Sequence, residues 1–170
     1  MNLKSTAFIA TLLLSQNSYA ETNYSTIGLG IMNELHNGVH VSLWGDSFGA
    51  DLGYGYRDDG SFPFFKESNI VELNLLKNIS ANENYISYLG AGVVSYSATI
   101  QGHEDYSESA ASVFIGTDWL LDTLGLTARV GYHSLANISL SNPTTTGTQV
   151  PDYRYSMTPI YFQFMINYLF

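Results

Sequence analysis

The C-terminal segment constrains this chain more than any other stretch. In Ile160-Tyr161-Phe162-Gln163-Phe164-Met165-Ile166-Asn167-Tyr168-Leu169-Phe170 the side chains divide by parity. One face carries Ile160, Phe162, Phe164, Ile166, Tyr168 and Phe170; the other carries Tyr161, Gln163, Met165, Asn167 and Leu169. Period-two alternation with one wholly apolar or aromatic face predicts a strand whose face lies against an apolar medium. That medium is either lipid or the core of a soluble barrel.

Composition favours lipid. Charged residues make up 12% of the 170 residues, about half the usual share of a soluble domain, while there are 13 Tyr, 9 Phe and 15 Gly. With 15 Asp and Glu against 6 Lys and Arg, the net charge of −9 argues against a nucleic-acid partner, which demands clustered cations. No Cys is present, so disulfides, thiolate zinc sites and iron–sulfur clusters are excluded.

The same alternation recurs upstream. Candidate strands are Tyr24–Met32, Val39–Asp46, Ala50–Arg57, Asn69–Asn78, Tyr85–Ile100, Ala110–Leu121 and Leu126–Ser139, with Tyr155–Phe170 as the eighth. Outward faces read as Ile27, Leu29 and Ile31 in the first, Leu52, Tyr54 and Tyr56 in the third, and Val113, Ile115 and Trp119 in the sixth. In the fifth, Leu89, Ala91 and Val93 are taken as outward, leaving Tyr88, Gly90, Gly92 and Tyr96 inside. Connections two, four and six are short, and Asp122–Gly125 reads as the sixth turn. Connections three, five and seven are longer and mostly polar, as in a barrel with short turns at one end and loops at the other; connection one, around Leu35–Gly38, is the exception, a short outer loop. The predicted fold is all-β, an eight-stranded antiparallel up-and-down transmembrane β-barrel, whose interior is just filled by side chains.

The N-terminus predicts an address. Lys4 precedes the apolar run Ala7–Leu14, and Ser18-Tyr19-Ala20 puts small residues where signal peptidase cuts. Residues 1–20 are expected to be a cleaved signal peptide, and 21–170 the barrel domain.

In Gln163–Phe170, the terminal Phe170, Tyr168 two before it, and Gln163 resemble the C-terminal signal of bacterial outer-membrane barrels, with Met165 where Gly is usual. Together with Leu52-Gly53-Tyr54-Gly55-Tyr56 and Tyr88-Leu89-Gly90-Ala91-Gly92, the chain resembles small eight-stranded outer-membrane proteins of the OmpX or OmpA-transmembrane-domain type. It has a fainter likeness to YfaZ-like barrels. The resemblance implies a multi-pass barrel in a Gram-negative outer membrane, with lipid and lipopolysaccharide around it. It also implies engagement of the barrel-assembly machinery through Gln163, Tyr168 and Phe170.

Few residues carry chemistry. A four-residue sixth turn would set Asp118 opposite Arg129, both inward, with Glu72, Asp51, Asp46 and Arg57 as further inward charges. These form either a sealing network or the lining of a water path, and the space inside eight strands favours the seal. His133-Ser134 invites a comparison with lipid A deacylases, in which His and Ser stand two apart on one strand face. Here they are adjacent and point to opposite faces. Asn137 and Ser139 share the parity of His133 but lie about 13 Å and about 20 Å along the strand. No catalytic residue, metal set or cofactor signature is therefore assigned. Exposed apolar residues in Ser61–Phe65, acidic turns at Arg57–Gly60 and His103–Asp105, and the Thr-rich Ser141–Pro151 are candidate contact loops. The expected role is structural or surface-interacting, with the surface partner unspecified by sequence. A lipid A-modifying enzyme and a narrow pore are the rivals.

Overall fold

A computed structural model of the chain describes residues 24–32, 36–58, 65–100, 105–134, 138–140, 153–155 and 159–170. Residues 1–20, Ser61–Phe64, His103, Glu104, Asn137 and Ser141–Pro151, all singled out above, lie outside the described residues. Strands β1 (Tyr24–Ile31), β2 (Asn37–Trp44), β3 (Phe48–Asp58), β4 (Phe65–Ala81), β5 (Tyr85–Ile100), β6 (Tyr106–Leu121), β7 (Leu124–His133) and β10 (Ile160–Leu169) form a closed barrel. Each pairs antiparallel with its neighbours, and β10 closes onto β1 through Thr26↔Leu169 to Ile31↔Phe164. Between β7 and β10, β8 (Ile138–Leu140) and β9 (Tyr153–Tyr155) form a separate two-stranded sheet, so β7 ends at His133 and not at Ser139.

The pairings fix the stagger. Starting at Ala110 and stepping through Val94, Glu72, Gly53, His40, Gly28, Asn167 and Gly125 returns to β6 at Leu120, ten residues further along the same strand. With standard strand rise and spacing, this stagger over eight strands gives a tilt of about 41° and a backbone radius of about 8 Å. Such a tube has room for one layer of interlocking side chains.

Two expectations are corrected. The turn between β6 and β7 is Asp122-Thr123 alone, because Leu121 pairs with Leu124. Asp122 takes φ 52°, a conformation that a short Asp side chain tolerates and that a tight hairpin requires. The register therefore moves by two residues: Asp118 faces Thr127 and Arg129 faces Gly116, with both side chains still inward. Asp46 belongs to the turn after Trp44 and is exposed, since β2 ends before it.

Outward, alternate residues form an apolar belt. Phe162, Phe164, Ile115 and Val130 are 59%, 58%, 49% and 38% exposed, with no second layer over them among the described residues, while Asp118 and Arg129 are 2% and 3% exposed inside. Lys77, outward toward the short-turn end, lies with its ammonium 4.2 Å from the centre of the Phe48 ring. From that end upward the lumen holds an apolar and aromatic cluster of Trp44, Leu76, Ile86, Tyr88, Phe114 and Tyr161. Large and small residues interlock across β5 and β6. Tyr88 pairs with Gly116 and Phe114 with Gly90, and a Cβ on either glycine would strike the partner's ring. Tyr161 covers Gly131 in the same way.

Candidate functional site in the barrel lumen

Inward parity sends polar side chains from all eight strands into the lumen, where those at mid-height, from Thr26 and His40 to Gln163 and Asn167, are buried. Burying a charge without a partner is costly, so the interior has to pair what it holds. Arg129 on β7 is the hub. Its Nη2 lies 2.7 Å from Asp51 Oδ2 on β3 and 3.0 Å from His40 Nε2 on β2, and its Nε donates to the Tyr88 hydroxyl on β5 at 2.9 Å. The guanidinium carbon also sits 5.0 Å from the Phe114 ring centre and 5.4 Å from that of Tyr88, within cation–π range.

Asp51 is held from three sides. Asn74 Nδ2 on β4 donates to its Oδ1 at 2.8 Å, and His40 Nε2 lies 3.2 Å from its Oδ2 beside the guanidinium. Ser42 Oγ lies 3.4 Å from the other His40 ring nitrogen and accepts from Thr26 on β1 at 3.2 Å. Ser112 on β6 donates to Asn74 Oδ1 at 3.3 Å.

Asp118 and Arg129 are connected, but not by the direct cross-strand pair expected from sequence. The Tyr88 hydroxyl stands between them: it accepts from Arg129 and donates to Asp118 Oδ1 at 2.8 Å. Thr127 donates to the same oxygen at 2.8 Å, and Tyr24 on β1 donates to Oδ2 at 3.1 Å. Asn167 on β10 donates to Thr127 at 2.6 Å. A second link crosses the barrel where Gln163 Nε2 on β10 donates to both Glu72 oxygens on β4, at 2.8 and 2.7 Å.

Of the inward charges named from sequence, Asp51, Glu72, Asp118 and Arg129 are thus brought into the lumen, whereas Arg57 stays half-buried at the loop end of β3 on the same parity. Tyr88, His40 and Asn74 were not singled out as hub residues. Their parity marked them as inward, but strand alternation carries no information about which residues meet across a tube. Gln163 lies inside, while Tyr168 and Phe170 point outward with their rings stacked at 6.4 Å.

Nearer the loop end, His133 is fully buried and stacks on Tyr161 at 5.7 Å, with neither ring nitrogen hydrogen-bonded. Ser134 is exposed on the opposite face, as adjacency on a strand dictates. His36 lies 3.0 Å from Ser68 and edge-on to Tyr96. Above the belt, burial and the Glu108 carboxylate, which accepts from the Tyr106 hydroxyl, push the Tyr106 phenol above its ordinary range. Among the described residues no cluster of His and carboxylates has the makings of a metal site.

No sequence-family model matches the chain, and no curated protein matches it by sequence. Solved structures do resemble it. Neisserial surface protein A is similar over 89% of this chain and 97% of its own, at 10% identity and a TM-score of 0.53. Ail, the attachment invasion locus protein of Yersinia pestis, covers 87% of this chain and 99% of its own at 12% identity and a TM-score of 0.46. Closed eight-stranded antiparallel topology, short turns at one end and the likeness to Neisserial surface protein A together give this chain the fold of the small eight-stranded outer-membrane β-barrels.

Proposed function

We propose that this is an integral outer-membrane protein of a Gram-negative bacterium, exported by residues 1–20 and cut after Ala20. In this reading, residues 21–170 serve a structural or surface-interaction role without catalysis. The observation that carries it is the inversion of the barrel, with an exposed apolar belt outside and a cross-linked polar core inside. A water-soluble barrel has the opposite arrangement, and exposed apolar area on this scale needs a covering medium. The solved neighbour bears the name of a surface protein, which accords with such a role.

Interaction is assigned to the loop end. There β6 continues six residues beyond Ser112, the last residue that pairs with β7, up to Tyr106. With the tilt derived above, the β5–β6 hairpin therefore projects about 15 Å past the rim at β7. Connections three, five and seven all open at this end. At the other end, Tyr168 and Phe170 present their outward rings to the barrel-assembly machinery.

The absence of catalysis rests on His133: a base needs a nucleophile within hydrogen-bond reach, and the adjacent Ser134 faces away. The lumen network supports a sealed barrel over a pore. Three measurements test the reading together. The protein should fractionate with outer membrane and show heat-modifiable gel mobility. Lipid A should have the same mass spectrum with and without it. Planar bilayers containing it should stay non-conducting, and so should those containing Asp51→Asn. Recovery in the soluble periplasmic fraction, altered lipid A, or discrete channel openings would each refute the corresponding part.

A further inference from the structure

The outward face of β3 to β6 changes its chemistry in register. Leu52, Leu73, Val93 and Ala111 form one row across the four strands. Two residues further toward the loop end the row is Tyr54, Val71, Ser95 and Ser109, and the next is Tyr56, Asn69, Ser97 and Ser107. Asp58, Glu67 and Thr99 follow. Hydrocarbon thus gives way to hydroxyls and an amide on the same face of the same sheet. The polar rows are tied together by Ser109 donating to Ser95 at 3.1 Å and Tyr54 donating to Asn69 at 2.7 Å.

From the Tyr54 row to the Asp58 row is four residues along each strand, a height of about 10 Å after tilt. That spans the roughly 5–7.5 Å of one leaflet's headgroup region and extends a few ångströms beyond it. A lipid whose chains lie on Leu73 and Val93 must lay its headgroup over Ser95, Ser97 and Ser107, so the occupant of the polar rows is the head of the molecule that covers the belt. None of the residues that form the polar rows is a lysine or arginine (Lys77 lies on this face but at the short-turn end), and Asp58 and Glu67 stand directly opposite one another in the top row. Such rows supply no cation of their own to a phosphate. Sugar hydroxyls, which both donate and accept, match a field of Ser, Thr and Asn, and the exposed rings of Tyr54 and Tyr56 flank it.

We propose that the outward polar rows of β3 to β6 are a docking face for the sugar headgroup of outer-leaflet glycolipid, held by direct hydrogen bonds. The proposal rests on the outer-membrane reading above and deepens it.

The chain lacks cysteine, so single labels can be placed cleanly. A nitroxide is attached to Leu73→Cys or to Ser97→Cys, and each barrel is reconstituted in phosphatidylcholine vesicles containing either lipopolysaccharide or phosphatidylglycerol at equal charge. Access to a water-soluble nickel chelate is then read, with a metal chelator present. The label at position 73 is expected to be shielded in both vesicles. The label at position 97 is expected to lose its nickel access in lipopolysaccharide alone, and to regain it when Ser95→Val and Ser109→Val are added, with heat-modifiable mobility confirming that this barrel folds. Equal access at position 97 in the two vesicles, shielding that requires added magnesium, or shielding unaffected by the valines would overturn the proposal while leaving the membrane reading intact. Nickel access at position 73 would overturn the membrane reading itself.

Discussion

The ion pair at the centre of the lumen yields a prediction with a definite size. Asp51→Asn keeps the shape of the side chain and removes its charge. The Arg129 guanidinium, 3% exposed, then loses the carboxylate 2.7 Å from its Nη2 and reaches Asp118 only through the Tyr88 hydroxyl. Removing one partner of a buried pair costs about 3–5 kcal/mol, most of it from the charge left behind. Arg129→Gln strands Asp51 in the opposite sense and should cost about as much. In the double variant neither charge is stranded by the other's loss, so the combined cost should fall short of the sum by about 2–3 kcal/mol. The assay is urea unfolding in lipid vesicles, followed by tryptophan emission from Trp44 and Trp119, with heat-modifiable gel mobility as a second probe. Single-variant costs under about 1 kcal/mol, or strict additivity in the double variant, would refute the claim that this pair is buried and coupled.

Other outcomes follow from the same geometry. Tyr88→Phe should cost about 1.5–3 kcal/mol, by removing a hydroxyl shared between two charged groups, and should abolish any coupling measured between Asp118→Asn and Arg129→Gln. Gly116→Val should destabilise by about 1–3 kcal/mol, because its Cβ would meet the Tyr88 ring; an unchanged urea midpoint would mean that the ring lies elsewhere. Phe164→Arg, in the middle of the outward row of β10, should cost about 2–4 kcal/mol in vesicles, while Ser107→Arg, above the belt, should cost about 0–1 kcal/mol. Asp122→Val should destabilise by about 1–2 kcal/mol through its positive φ, whereas Asp122→Gly should be tolerated, which separates a two-residue turn from a four-residue one.

Sequence revealed the parts of this fold that period two encodes. Every strand has an apolar parity and an inward parity, and the assignment of Leu89 and Val93 outward with Tyr88 and Tyr96 inward agrees with their burial. What period two does not encode is a register shift by an even number, which leaves every side chain on its face. This is why alternation alone sets Asp118 opposite Arg129, whereas the two-residue turn sets it opposite Thr127. Strand ends were hidden for a related reason. Toward the loop end of β5 and β6, Ser95, Ser97, Ser107 and Ser109 erase the contrast between faces, and in β4 irregularities at Phe65/Glu67 and Asn78/Ser80 interrupt the alternation. Partners across the lumen were legible as types, since inward carboxylates had to find cations or amides. Which strand supplied them depended on the stagger, and the stagger is a property of the closed ring.

That dependence makes barrel closure and lumen pairing a single event. Arg129 sits on β7, yet the polar groups it meets, on Asp51, His40 and Tyr88, come from β3, β2 and β5; the neighbouring β6 gives it only the ring face of Phe114 among the described residues. Gln163 on β10 reaches Glu72 on β4, and Tyr24 on β1 reaches Asp118 on β6. An open sheet with every neighbouring strand paired would still leave these groups unsatisfied. A slip of two residues at the β1–β10 seam would keep each side chain on its face while displacing Tyr24 by about 6.6 Å along the strand relative to β10, away from Asp118 on the far side of the seam. The outward belt cannot resist such a slip, because one apolar row on lipid is as good as the next. Selection of the seam register therefore falls to the interior, where each misplaced residue strands a buried charge or amide.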